Sequence, residues 1–140
     1  RLAVQSFPLA DEPGTLRQAL LAHKPICSTH PLRRHKTTDR ALYDEALSVL
    51  VGDPQLFDVV FLNERGEVAE GARSNVFVER DGVFLTPPLA SGALPGVLRA
   101  EMLADERARE AVLWPDDLCD GFWLGNALRG LVWVSLRTEA

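Results

Sequence analysis

Residues 66–77 read GEVAEGARSNVF. Two short pieces in which apolar and polar residues alternate flank a sharp glycine turn. One carboxylate, Glu70, stands at the turn with Gly71 behind it. Alternation with period two is the pattern of a half-buried strand. Working outward, residues 57–62 (FDVVFL) form a preceding strand, and residues 63–66 (NERG) are a hairpin turn whose glycine supplies positive φ. On the other side, residues 74–79 (SNVFVE), the turn Arg80-Asp81-Gly82 and residues 83–86 make a further hairpin. Pro87-Pro88 then forces the chain out of the sheet.

Helices surround these hairpins. Ala93-Leu94-Pro95-Gly96 is a helix start, and the helix runs over about 97–104. Thr37, Thr38 and Asp39 cap a helix over 40–51, with Leu42, Ala46, Leu47, Val49 and Leu50 apolar and Gly52 closing it. Thr15 caps a short helix to Leu21, with Leu16, Ala19 and Leu20 on one face, and Lys24-Pro25 stops it. Strands are expected at 2–9, 110–113, 122–124 and 131–136, and a one-turn helix at 115–118. Hairpin strands with two or three helices indicate an α+β fold on an antiparallel or mixed sheet. No internal repeat or linker breaks residues 1–140, which read as a single domain.

Composition narrows the function classes. A net charge of -5 argues against nucleic acid as a partner. The basic cluster Arg33, Arg34, His35, Lys36 is too short for a nucleic-acid arm. No apolar run is long enough for a bilayer, so no membrane is expected. Cys27 and Cys119 form no C-x-x-C pair and read as free thiols in a reducing cytoplasm. His23, His30 and His35 lack zinc spacing with either cysteine, so no metal site is expected.

Three blocks carry a resemblance. HKTTDRALYDEA from His35, residues 66–103 (GEVAEGARSNVFVERDGVFLTPPLASGALPGVLRAEML) and FWLGNALRGL from Phe122 resemble blocks of the class IV aminotransferase-like, fold-type IV pyridoxal-phosphate enzymes. The similarity is greatest to aminodeoxychorismate lyases and to the lyase domain fused behind para-aminobenzoate synthase component I. It covers about three quarters of the chain and implies the large C-terminal lobe of the D-amino-acid-aminotransferase-like fold, with pyridoxal 5'-phosphate as cofactor.

By that resemblance Lys36 forms the Schiff base with the cofactor and shuttles the substrate proton. Such a lysine needs a lowered pKa, which Arg33, Arg34 and Arg40 would favour by like-charge repulsion. Glu70 would face the pyridine nitrogen and keep it protonated. The backbone N–H groups of Val97 and Leu98, at the start of the Gly96 helix, would bind the phosphate. Leu98 stands where family transaminases often carry threonine. Asn126 lies where relatives place a threonine or asparagine that reaches the same phosphate. Asn75 is expected behind these residues, tying down the Glu70 turn through its side chain. Ala41 replaces the tyrosine that many family transaminases place five residues after the lysine, and Tyr43 packs or faces out on its helix. Arg33, Arg34 or Arg129 could meet a substrate carboxylate, although solvated surface is the plainer reading of each.

The implied reaction is elimination of pyruvate from 4-amino-4-deoxychorismate to give para-aminobenzoate, in folate biosynthesis in the cytoplasm. The alternatives are a branched-chain or D-amino-acid aminotransferase of the same fold, or an inactive lobe serving as an interaction module. The chain opens on RLAVQS and only 35 residues precede Lys36. The family's small N-terminal lobe is therefore expected to be absent, with the chain cut from a longer polypeptide. The resemblance also implies a homodimer, fused to or associated with a synthase domain.

Overall fold

The computed structural model describes residues 17–29 and 41–137. In chain order the elements are β1 (Gln18–Leu21), α1 (Ala41–Leu47), β2 (Leu56–Leu62), β3 (Val68–Gly71), β4 (Asn75–Arg80), β5 (Val83–Thr86), α2 (Val97–Ala104), β6 (Ala108–Glu110), β7 (Phe122–Asn126) and β8 (Gly130–Leu136). The strands form one mixed sheet in the order β3-β2-β1-β8-β7-β4-β5-β6. β1 runs parallel to both neighbours, β2 and β8. β5 and β6 are parallel, and the other pairings are antiparallel. This is the α+β architecture expected from the hairpin signals. Among the described residues no helix is long and apolar enough to cross a membrane.

Both helices lie on one face. Val59 and Phe61 of β2 pack with Tyr43 of α1, and Phe77 of β4 packs with Leu98 and Met102 of α2. Alternate residues such as Val60, Val76, Val78, Val132 and Val134 point to the other face, where Leu113 and Leu118 cover them. Leu56–Leu62 has five consecutive buried residues because it lies inside the sheet and is covered on both sides. Truncating a side chain as enclosed as Phe61 would cost about 3–5 kcal/mol.

Several local expectations change. The helix expected over 15–21 is the strand β1 where it is described. The spacing of Ala19 and Leu20 suited a helix, but four residues slotted between two parallel strands gain ladder bonds on both sides. The helix expected over 40–51 is α over Ala41–Leu47 and tightens to a 3-10 turn at Ser48–Leu50, with Gly52 at φ 87°. The strand expected at 110–113 lies earlier, at Ala108–Glu110. It pairs with β5, and that pairing runs out where β5 meets Pro87, which has no N–H to donate. The hairpin turns at Gly66 and at Asp81-Gly82 have the expected positive φ. Val97–Ala104 is helical as read from its Pro-Gly start. The strand expected at 2–9 and the caps Thr37, Thr38 and Asp39 lie outside the described residues.

Candidate active site

A bulge decides where Glu70 points. Phe61 pairs with Glu70 and Leu62 with Val68, so Ala69 is one residue too many for β2 to match. Without the extra residue, Glu70 would share the face of Val68. With it, Glu70 stands beside Phe61 on the helix-bearing face. Glu70 is 4% exposed. Its Oε2 accepts the Tyr43 hydroxyl at 2.5 Å, and its Oε1 accepts the Leu94 backbone N–H at 2.7 Å.

The carbonyl of the same residue is also held. Asn75 Nδ2 donates to the Leu94 carbonyl at 3.0 Å, and Gly96 N–H donates to it at 2.8 Å. Glu70 and Asn75 therefore fix the segment that leads into α2 from β3 and β4, two strands consecutive in the chain but not neighbours in the sheet. Gly96 is the N-cap of α2 with no side-chain cap, and a Cβ there would lie 2.5 Å from Asn75 Oδ1. Only glycine allows the helix to begin this close to β4. The first N–H groups of a helix have no partner within it, so those of Val97 and Leu98 are set to meet an anion. The Leu98 side chain is buried and serves as core.

Gly125 of β7 sits against this helix start, since a Cβ on it would come within 2.9 Å of Leu98 Cδ2. Asn126 follows it. Its Nδ2 donates to the Arg73 carbonyl at 2.9 Å and its Oδ1 accepts the Arg129 N–H at 2.7 Å. The amide thus joins the β7–β8 turn to the turn after Gly71. Arg73 and Arg129 both place their guanidinium carbons over the Phe57 ring, at 5.0 and 5.3 Å from its centroid. Lys36 lies outside the described residues.

Three residues near the site carry more than their sequence reading gave them. The Glu70 turn is tied by Asp58, not by Asn75, whose side chain goes to Leu94. Asp58 Oδ1 accepts the N–H groups of Val59 and Ala72 at 2.7 and 3.1 Å; Oδ2 accepts the Arg73 N–H at 3.3 Å and the Ser74 hydroxyl at 2.7 Å. Burial pushes the Asp58 carboxyl above its ordinary value, opposed by the Ser74 hydroxyl and the N–H groups of Val59 and Arg73. Gly71 is there for room rather than for a left-handed backbone, because a Cβ would meet Asp58 Oδ2 and Ser74 Oγ at 2.5 Å. The available signal was a carboxylate inside the apolar run FDVVFL, which must be bonded if it is buried. Tyr43 is buried with its hydroxyl on Glu70. Leu94, read only as part of a helix start, is the residue whose backbone links the carboxylate to the helix.

With this geometry in place, the comparisons with known proteins carry an assignment. The family model for amino-transferase class IV matches residues 2–136. The chain belongs to the class IV aminotransferase family. It is 34% identical to a Schizosaccharomyces pombe protein called "Putative aminodeoxychorismate lyase", over 86% of this chain and 54% of that protein. It is similar to the crystal structure of a "Putative amino-acid aminotransferase" from Mesorhizobium loti, with TM-score 0.81 and 43% identity over 89% of this chain and 61% of that one. A "hypothetical aminotransferase" from Mycobacterium tuberculosis, solved in its "alpha-ketoglutarate and PMP bound form", has TM-score 0.74 and 25% identity over 85% of this chain and 47% of its own. The chain thus spans about half the length of these relatives.

Class IV aminotransferases are pyridoxal-phosphate enzymes. The residues here fit that group. A buried carboxylate suits a ring N–H, and the glycine-made cradle at Gly96 suits a phosphate. Leu94, bonded to Glu70, and Val97, the first helical residue, are three residues apart, at most about 11 Å of chain. One small flat molecule can span that interval.

Proposed function

We propose that the protein of which this chain forms the large lobe is a pyridoxal-phosphate-dependent 4-amino-4-deoxychorismate lyase, acting in para-aminobenzoate and hence folate synthesis. The observation that carries the cofactor reading is the buried Glu70 carboxylate bonded to the backbone that launches α2. The lyase reading is supported by the S. pombe relative, whose match covers most of this chain. It is supported also by Ala41, which offers no phenol five residues after Lys36.

When bound, pyridoxal phosphate supplies a sink for the electrons of a carbanion. Glu70 holds a proton at the ring nitrogen. Val97 and Leu98 N–H groups bind the phosphate, and Asn126 steadies the turn beside them. Asn75 and Gly96 keep the helix start within reach of Glu70. Lys36, by its place in the family pattern, takes the proton from the amine-bearing carbon of the substrate ring. The enolpyruvyl C–O bond then breaks, and the released enolate takes up a proton, matching the one given to Lys36, to become pyruvate and leave an aromatic aminobenzoate. Arg73 and Arg129, whose backbones bond Asn126 and whose guanidinium groups lie over Phe57, are the charges that substrate carboxylates would meet. The working protein is a homodimer and carries or associates with a synthase domain.

A second reading, an amino-acid aminotransferase, has the M. loti structure in its favour. One assay separates the two. The full-length protein, loaded with pyridoxal phosphate, is given aminodeoxychorismate without a keto acid. Pyruvate release is the expected result. Turnover only with an amino donor and 2-oxoglutarate would give the aminotransferase instead, and turnover with neither would remove both.

A further inference from the structure

Tyr43 stands out among the buried polar groups because the reaction just described gives it no part. It lies on α1 with its ring edge-on to Phe61, centroids 4.9 Å apart at 68°. Phe61 is the residue that pairs with Glu70. The ring is thus wedged beside the carboxylate by the strand that carries its neighbour, and the hydroxyl reaches Oε2 at 2.5 Å. Ala41, two residues earlier, is about 200° away around the helix and exposed. A phenol at position 43 therefore serves a different group from one at position 41.

We infer that Tyr43 is a positioning residue for Glu70: its hydroxyl, with the Leu94 N–H, aims the carboxylate and keeps it ionised, and so sets how firmly the cofactor ring nitrogen stays protonated. The inference rests on the cofactor reading above. Its basis is the identity and origin of the two donors. A backbone N–H can only donate, and a phenol facing a carboxylate donates as well, so together they stabilise the charged form. The donors come from separate elements, α1 and the segment before α2, and they grip different oxygens. The carboxylate is therefore fixed in direction as well as in charge. Removing the hydroxyl raises the proton affinity of Glu70. A proton shared between ring nitrogen and carboxylate then moves toward the carboxylate.

Tyr43→Phe keeps the ring against Phe61 and removes only the donor. Two measurements on the full-length protein test the idea. In the cofactor-free protein, the ultraviolet difference between wild type and Tyr43→Phe isolates the ionisation of this phenol. It should lie above the ordinary value near 10, because ionisation would set two negative charges side by side. Glu70→Gln should bring it back. In the loaded protein, the nitrogen-15 resonance of ring-labelled pyridoxal phosphate should move toward the unprotonated position in Tyr43→Phe, with the melting temperature close to that of wild type. An ordinary phenol titration, or a ring-nitrogen resonance unchanged in the variant, would overturn the role of Tyr43 alone. A wild-type protein that takes up no pyridoxal phosphate would overturn the functional reading and this role with it.

Discussion

The amide of Leu94 and the carboxylate of Glu70 are joined at 2.7 Å, three residues ahead of the first helical residue of α2. A group on one strand thereby fixes where a helix on another part of the chain begins. The side chain that would face the ring nitrogen also locates the amides that would hold the phosphate, so one residue serves both cofactor chemistry and cofactor retention.

Substitutions at Glu70 should separate charge from bonding. Glu70→Ala leaves the Leu94 N–H and the Tyr43 hydroxyl without their acceptor, at a cost of about 2–4 kcal/mol of stability. Glu70→Gln keeps an acceptor oxygen, so it should fold nearly as well while kcat falls on the order of 100-fold. Denaturant melts beside turnover rates check this. Equal stability of the two variants would contradict the bonding argument.

Gly96→Ala should weaken cofactor retention with the fold intact. The new Cβ would press on Asn75 Oδ1 from 2.5 Å and push α2 off β4, at a cost of about 1–3 kcal/mol. Equilibrium dialysis against pyridoxal phosphate measures the loss. Asn75→Ala in the same background should restore part of the affinity by removing the obstacle.

The hairpin beneath the site should be acid-sensitive. The Arg65 side chain first, then the Asn63 amide and the Ser91 hydroxyl, lower the Glu67 carboxyl to about 2 from 4.5. The unfolded chain therefore binds the proton more readily than the folded one between those values. The stabilisation is complete above pH 4.5 and is lost as pH falls through 2. Melting temperatures of wild type and Glu67→Gln should converge over that window. A gap that stays constant down to pH 2 would sink the claim.

Asp58 should behave in the reverse sense. Its carboxyl is raised by burial, so the folded state holds its proton more tightly than the unfolded state does. Its contribution is greatest at acid pH and declines as pH rises above the ordinary 3.8. The advantage of wild type over Asp58→Asn, read from urea melts, should shrink across that rise. It should not vanish, because the amide cannot replace all four contacts.

Arg129→Ala should raise KM for a carboxylate substrate by about tenfold or more, with kcat changed far less. Loss of kcat without a change in KM would place Arg129 outside the substrate site.

What the sequence disclosed were features written in local chemistry. Asp81-Gly82 and Gly66 announced their turns through backbone conformations that few residues adopt, and Pro95-Gly96 announced α2. What stayed hidden depended on partners far along the chain. Gln18–Leu21 looks helical until β2 and β8 are placed beside it. The facing of Glu70 turns on one unmatched residue, Ala69, and counting by twos along the strand sends the carboxylate to the wrong side. Because that bulge was invisible, so was the use of Tyr43, whose hydroxyl has a target only once Glu70 is turned toward α1.

The placing of β1 reaches beyond the site. Its residues zip to residues 56–60 on one side and to Ser135 and Leu136 on the other, and Arg137 reaches back to Gln18 and Asp53. During synthesis this strand must wait, half-matched, until β8 leaves the ribosome. Closing so long a loop is slow, and a chain stopped short of β8 would present β1 as an open, sticky edge.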